Sequence, residues 1–215
     1  MLITAISDQP ALPAGLPGTI CGSVGCMSPP TQGRIVLLNG TPSAGKSSVA
    51  AALREQLVEP HWWQSLDAFR EGYLTRYWAQ HPFPHALFDM CVNSHMRLLR
   101  DLVDTGHKVI AEAVTTPSLL PRYLSTFEGA DVFFVGLRCP IDEVRRREEA
   151  RTDRVHSRME YAEATFDEVH RHGTYDLEID TSAVSAERAA EVVAVALETH
   201  RGSPAFDRLR LSASR

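Results

Sequence analysis

This chain has no apolar run approaching the roughly 18 residues that a bilayer-spanning helix needs, which argues against a membrane span. It has no basic excess either. Lys and Arg number 22 against 27 Asp and Glu, a net charge of −5, so nothing points to nucleic acid as a partner. Zinc spacing is missing as well: Cys21, Cys26, Cys91 and Cys139 form no C-x₂-C pair and read as free thiols in a reducing cytoplasm. The nine histidines are scattered, with His156, His170 and His172 reading as surface or supporting residues rather than metal ligands. The first thirty residues carry five prolines and four glycines, with Asp8 their one charged side chain. Without a basic stretch ahead of its apolar part, this segment does not read as a secretory signal. A mobile extension over residues 1–30 is expected instead.

What is present is a complete phosphate-binding motif. Gly40-Thr41-Pro42-Ser43-Ala44-Gly45-Lys46-Ser47 matches G-x-x-x-x-G-K-S, with Ser48 directly after it. The apolar run Ile35-Val36-Leu37-Leu38 precedes it and helix-forming sequence from Ser48 to Glu55 follows. A strand that delivers a Gly-rich turn to a helix N-terminus points backbone N–H groups at phosphates. Lys46 reaches phosphate oxygens and Ser47 ligates Mg²⁺. The motif in this setting predicts a nucleoside triphosphate site.

Strand and helix patterns alternate from Arg34 onward. Strands are expected at Arg34–Asn39, Trp62–Leu66, His107–Ala111, Asp131–Arg138 and Asp176–Asp180. Helices are expected at Lys46 to about Val58, His85 to Thr105, Pro117–Phe127, Ile141 to about Arg171, and from Ser185 through Leu197. Repeated βα units predict one α/β domain over residues 31–200, a five-stranded parallel sheet with helices on both faces. The tail 201–215 reads as loosely attached.

In open parallel sheets, ligands bind beyond the carboxyl ends of the strands. Asp67 follows the second strand there and is the candidate base for an acceptor hydroxyl; the alternative is a turn cap or a holder of metal-bound water. Glu112 ends the third strand, suited to outer-sphere Mg²⁺ or to a structural ion pair. Arg138 ends the fourth. Arg151 and Arg154 close an arginine-rich stretch after the fourth strand, where a lid over the triphosphate or a plain charged surface would lie. Arg145 with Glu149 reads as an i,i+4 surface pair. Eight of the sixteen aromatics fall within Trp62–Phe88, among them Trp78, Phe69 and Tyr73, and line either an acceptor pocket or the core.

Five segments resemble the chloramphenicol phosphotransferase family in order and spacing: Ile35–Ser48, Ser65–Phe69, Val135–Pro140, Glu148–Arg154 and Val169–Ser182. The strings V-G-L-R-C and H-G-T-Y-D-L-E-I-D-T-S are the specific ones. The resemblance implies a P-loop NTPase fold of the nucleoside-kinase type with an arginine-bearing lid, and ATP-dependent phosphorylation of an antibiotic hydroxyl with Mg²⁺. Carried over by position, the family's catalytic aspartate is Asp67 and its lid arginines are Arg151 and Arg154. Phe69, Tyr73, Glu112 and Arg138 would contact the acceptor. Two departures stand out. Glu112-Ala113 replaces an expected acid pair, and Arg70–Leu87 matches the family poorly. A metabolic or toxin-like kinase acting on a sugar nucleotide or similar metabolite, a non-catalytic nucleotide switch, and a homo-oligomeric state all remain open.

Overall fold

A computed structural model describes residues 32–73, 84–151 and 159–213 of the chain. The strands are β1 Arg34–Asn39, β2 Trp62–Ser65, β3 Lys108–Ala113, β4 Asp131–Arg138 and β5 Leu177–Asp180. The helices are α1 Lys46–Gln56, α2 Leu66–Arg70, α3 Pro84–Asp104, α4 Leu120–Thr126, α5 Ile141–Glu149, α6 Met159–Phe166, α7 Ala186–Thr199 and α8 Pro204–Ala213. All strands pair in parallel in the order β2-β3-β1-β4-β5. The connections leave β1 toward β3 on one side and reach β4 on the other. The carboxyl end of β1 is therefore the switch point where a ligand crevice opens.

Continuous apolar sequence marks the central strands because both sheet faces are covered. Ile35, Val36, Leu37 and Leu38 are all fully buried. Alternation sends Ile35 and Leu37 to a layer with Met96 and Leu99 of α3, Leu124 of α4 and Phe206 of α8. Val36 and Leu38 face Val49 and Leu53 of α1 and Val193 of α7 on the other side. Gly136 in β4 has to be glycine, since a Cβ there would stand 2.7 Å from the Tyr175 ring.

The described boundaries differ from the sequence reading in instructive ways. β2 stops at Ser65, whose side chain accepts from the Ala68 N–H at 3.0 Å and caps α2. β3 runs on to Ala113, so Glu112 lies inside the strand, in register with Leu38 and Ser65. The expected helix from 141 to 171 is α5 and α6, two helices flanking residues 152–158, which lie outside the described set. Arg145 pairs with Asp142 and with Glu163 of α6 rather than with Glu149, and so ties the two helices together.

The tail is a correction. Residues 204–213 form α8 and close the sheet face that α3 and α4 leave open. Phe206 is fully buried and meets Phe134 edge-on, with ring centroids 5.1 Å apart. Arg210 donates to the carbonyls of Leu124 and Phe127 at 2.9 and 3.0 Å. Arg208 also binds the body of the protein, donating to Tyr175 O at 3.0 Å, so the charged side chains of this helix help to hold it down. Phe206→Ala should destabilise the protein by about 3–5 kcal/mol, the usual cost of a buried Phe cavity. Urea unfolding checks this, and a loss below about 1 kcal/mol would show that α8 is not part of the core.

Candidate active site

The loop after β1 is shaped by backbone constraints. Gly45 takes a left-handed conformation, φ 88°, and Ser43 does so at φ 59°. A Cβ on Gly40 would stand 2.6 Å from the Leu137 carbonyl, so glycine lets the loop lie against β4. Asn39 anchors the loop from below. Its Oδ1 accepts from the Thr115 N–H at 2.8 Å, and its Nδ2 donates to Val169 O at 3.0 Å and Tyr175 Oη at 2.7 Å. His170 Nδ1 lies 2.6 Å from the same Tyr175 hydroxyl. Burial first, then the nearby Arg138, His172 and Lys46, lowers the His170 pKa from its ordinary 6.5 to about 4, so the ring stays neutral near pH 7.

Lys46 opens α1 and is mostly buried, its Nζ donating to the loop carbonyls of Gly40 and Thr41 at 2.8 and 2.7 Å. Ser47 Oγ donates to Glu112 Oε2 at 2.8 Å, while Trp63 Nε1 donates to Glu112 Oε1 at 3.1 Å. Ser43 Oγ donates to the buried Glu148 of α5. Thr181, just past β5, donates to Ala44 O at 2.8 Å and so locks the far side of the loop.

Lys46, Ser47, Asp67, Glu112 and Arg151 all line one cavity of about 490 Å³ at the carboxyl edge of the sheet. That volume suits a drug-sized ligand. Asp67 sits in the first turn of α2, its side chain about two-fifths exposed. Behind it lies His95 of α3, whose ring packs against Phe69 at 5.5 Å. Burial pulls the His95 pKa from its ordinary 6.5 to about 4, partly opposed by the Asp67 charge.

Three expected acceptor contacts fall elsewhere. Arg138 is exposed at the end of β4 and ion-paired with Glu178 of β5, because the last residue of the strand faces its neighbour rather than the crevice. Phe69 faces His95, and Tyr73 is exposed on the turn after α2; neither lines the cavity. Trp62 is half exposed and Trp63 serves Glu112. Phe88 alone of the described aromatic cluster lines the cavity, joined by Tyr161 of α6 from outside that cluster. Arg154, Tyr77, Trp78 and Phe83 lie outside the described residues.

Arg147 and Arg70 were not singled out by the sequence, and both line the cavity. Arg147 lies one helical turn before Arg151, an i,i+4 relation that would have disclosed it. It donates to Glu143 at 2.8 Å and to Thr181 O at 2.7 Å. Arg70 lies three residues after Asp67 on α2.

A phosphate-binding loop at the switch point of a five-stranded parallel sheet, with the lysine, serine and strand-borne acid around one cavity, defines a P-loop kinase. The sequence matches the chloramphenicol phosphotransferase-like protein family over residues 33–198, and the chain belongs to that family. It is an ATP-dependent phosphotransferase. Two curated relatives, from two strains of Mycobacterium tuberculosis and both bearing the name O-phosphotransferase, are 30% identical to it over 204 residues, 83% of this chain and 88% of theirs. Among solved structures, Mycobacterium tuberculosis APS kinase in complex with AMPPNP and APS shares the fold at TM-score 0.62 and 22% identity, covering 79% of this chain and 100% of that one. Acinetobacter baumannii shikimate kinase with shikimate follows at TM-score 0.54 and 14% identity, covering 74% of this chain and 89% of that one.

Two measurements test this geometry. Lys46→Ala should leave less than about a tenth of the wild-type kcat, since a cation on the transferring phosphoryl group supplies several kcal/mol of transition-state stabilisation. Retention of more would remove Lys46 from the chemistry. Below its ordinary pKa of 6.5, His95 is protonated in the unfolded chain, but the folded protein resists that proton until about pH 4. Stability should therefore fall by about 3 kcal/mol as pH drops through this window. His95→Gln should flatten that slope in urea titrations, and an unchanged slope would show that other groups carry it.

Proposed function

We propose that this phosphotransferase moves the γ-phosphoryl group of ATP to a hydroxyl of a small-molecule antibiotic or related natural product. The single observation behind this reading is that the donor-side residues Lys46 and Ser47 and the carboxylate of Asp67 open into one cavity. In the reaction, Asp67 takes the proton of the acceptor hydroxyl. The hydroxyl oxygen bonds to the γ-phosphorus while the bond from that phosphorus to the β–γ bridging oxygen breaks, and ADP leaves. Backbone N–H groups from Gly40 to Ser48, Pro42 excepted, would cradle the phosphates, and Lys46 with Arg151 would balance charge on the moving group. Arg154, outside the described residues, is proposed as the second lid arginine on sequence grounds alone.

The hydroxyl–carboxylate pair of Ser47 and Glu112 fits an Mg²⁺ bound mainly through phosphate oxygens and water. When bound, that ion neutralises charge on the β- and γ-phosphates. Glu112, fixed by Trp63, orients what surrounds it rather than ligating through both oxygens.

An apolar flank of Leu66, Phe88, Val114 and Leu119 beside Asp67 supports an acceptor with a hydrophobic body. The family description and the relatives' shared name support transfer to oxygen. Incubating the protein with ATP and an antibiotic panel, and reading a mass gain of one phosphoryl group, tests the acceptor directly. Asp67→Asn keeps the shape and removes the base. Transfer should fall by roughly 10²–10⁴-fold with nucleotide affinity nearly unchanged. Joint loss of binding and transfer would make Asp67 a metal or structural residue.

A further inference from the structure

The cavity is more positive than the protein that contains it. The chain carries a net charge of −5, yet the lining holds Lys46, Arg70, Arg147 and Arg151 against Asp67 and Glu112. Three of those cations lie with the phosphate loop and the helix after β4. Arg70 is different, because it sits on α2 on the acceptor side. Its Nη1 is 3.7 Å from Asp67 Oδ1, beyond direct hydrogen bonding, and its guanidinium lies 5.5 Å from the centre of the Phe88 ring. The Arg70 side chain is three-quarters buried.

A cation so close to a general base is a cost if the base is its sole purpose, since it stabilises the carboxylate and makes it a poorer proton acceptor. A planar guanidinium held over an aromatic face in a cavity wall is suited instead to a carboxylate or phosphate. We infer that the acceptor alcohol carries an anionic group, a carboxylate or a phosphate, which Arg70 binds while its hydroxyl meets Asp67. This rests on the phosphotransfer reading above. Arg70 and Asp67 share one turn of α2, so the anion and the reacting hydroxyl would lie side by side on the same cavity wall. The apolar body between the two groups lies against Phe88 and Leu119.

The test uses the full chain loaded with ADP and three matched probes: 3-(hydroxymethyl)benzoate, its methyl ester, and 3-(hydroxymethyl)phenyl phosphate. Calorimetry reads their affinities. One charge-assisted contact predicts that at least one anion binds about tenfold to a hundredfold tighter than the ester. The carboxylate and phosphate arms distinguish which anion is preferred. Arg70→Gln should erase the preference and Arg70→Lys should keep part of it, with unfolding midpoints confirming that both variants fold. Equal binding of all three probes, or none, overturns the inference, as does a preference that survives Arg70→Gln. If Arg70 served only to hold Asp67, the substitution would move all three affinities together, which also overturns it. Mass gain with ATP in place of ADP separates the two readings. An acid that binds through Arg70 but gains no phosphoryl group leaves the anion site standing and counts against transfer.

Discussion

Everything at the active edge depends on the side chain of Asn39. It is the last residue of β1, fully buried, and its amide joins three segments that arrive from different parts of the chain. The backbone after β3, the turn before β5 and the hydroxyl of Tyr175 all meet on it. A buried amide earns its place only when its donors and acceptor are satisfied, and here they are. The phosphate loop starts one residue later, so its position inherits the rigidity of that junction. Tyr175 extends the junction toward Gly136, where the missing Cβ admits its ring. The H-G-T-Y-D string therefore acts by holding the floor under the loop rather than by touching phosphate.

Above that floor, charge is arranged before any ligand arrives. Glu143 fixes Arg147, Arg147 fixes Thr181, and Thr181 fixes the Ala44 carbonyl. Such a chain holds the helix after β4 in register with the loop and keeps the Arg147 guanidinium in the cavity wall. Glu112 plays the matching part on the other side, with one oxygen for Ser47 and the other for Trp63.

The fold was largely legible because its signals are local and strong. The run Ile35–Leu38 and the run Val132–Val135 are buried on both faces, which only a covered parallel strand requires. The loop motif fixes its own setting, and Asp67 follows from strand-end logic. Arg138 misled because a residue at a strand end faces either the crevice or the adjacent strand, and Glu178 decided that, 40 residues away. Phe69 and Tyr73 misled because aromatic density does not tell which side of a short helix, or of the turn after it, each ring occupies. Arg70 and Tyr161 were missed because their importance comes from a shared cavity, which has no sequence period. The tail misled because Gly202, Pro204 and its arginines outweighed Phe206 and Leu209, whose helical spacing is the apolar stripe that packs.

Helix α8 has a consequence for how the chain is made. Its Phe206 and Leu209 complete the layer that begins with Ile35 and Leu37. Synthesis proceeds at ~5–20 residues per second from the N-terminal side, so the phosphate loop and all five strands leave the ribosome before that layer has its cover. Phe134 meets Tyr175 first and gains its edge-on partner Phe206 from some 70 positions downstream. The order of synthesis thus makes α8 the last of the described elements to join this layer, docking onto a sheet whose strands have all been made before it.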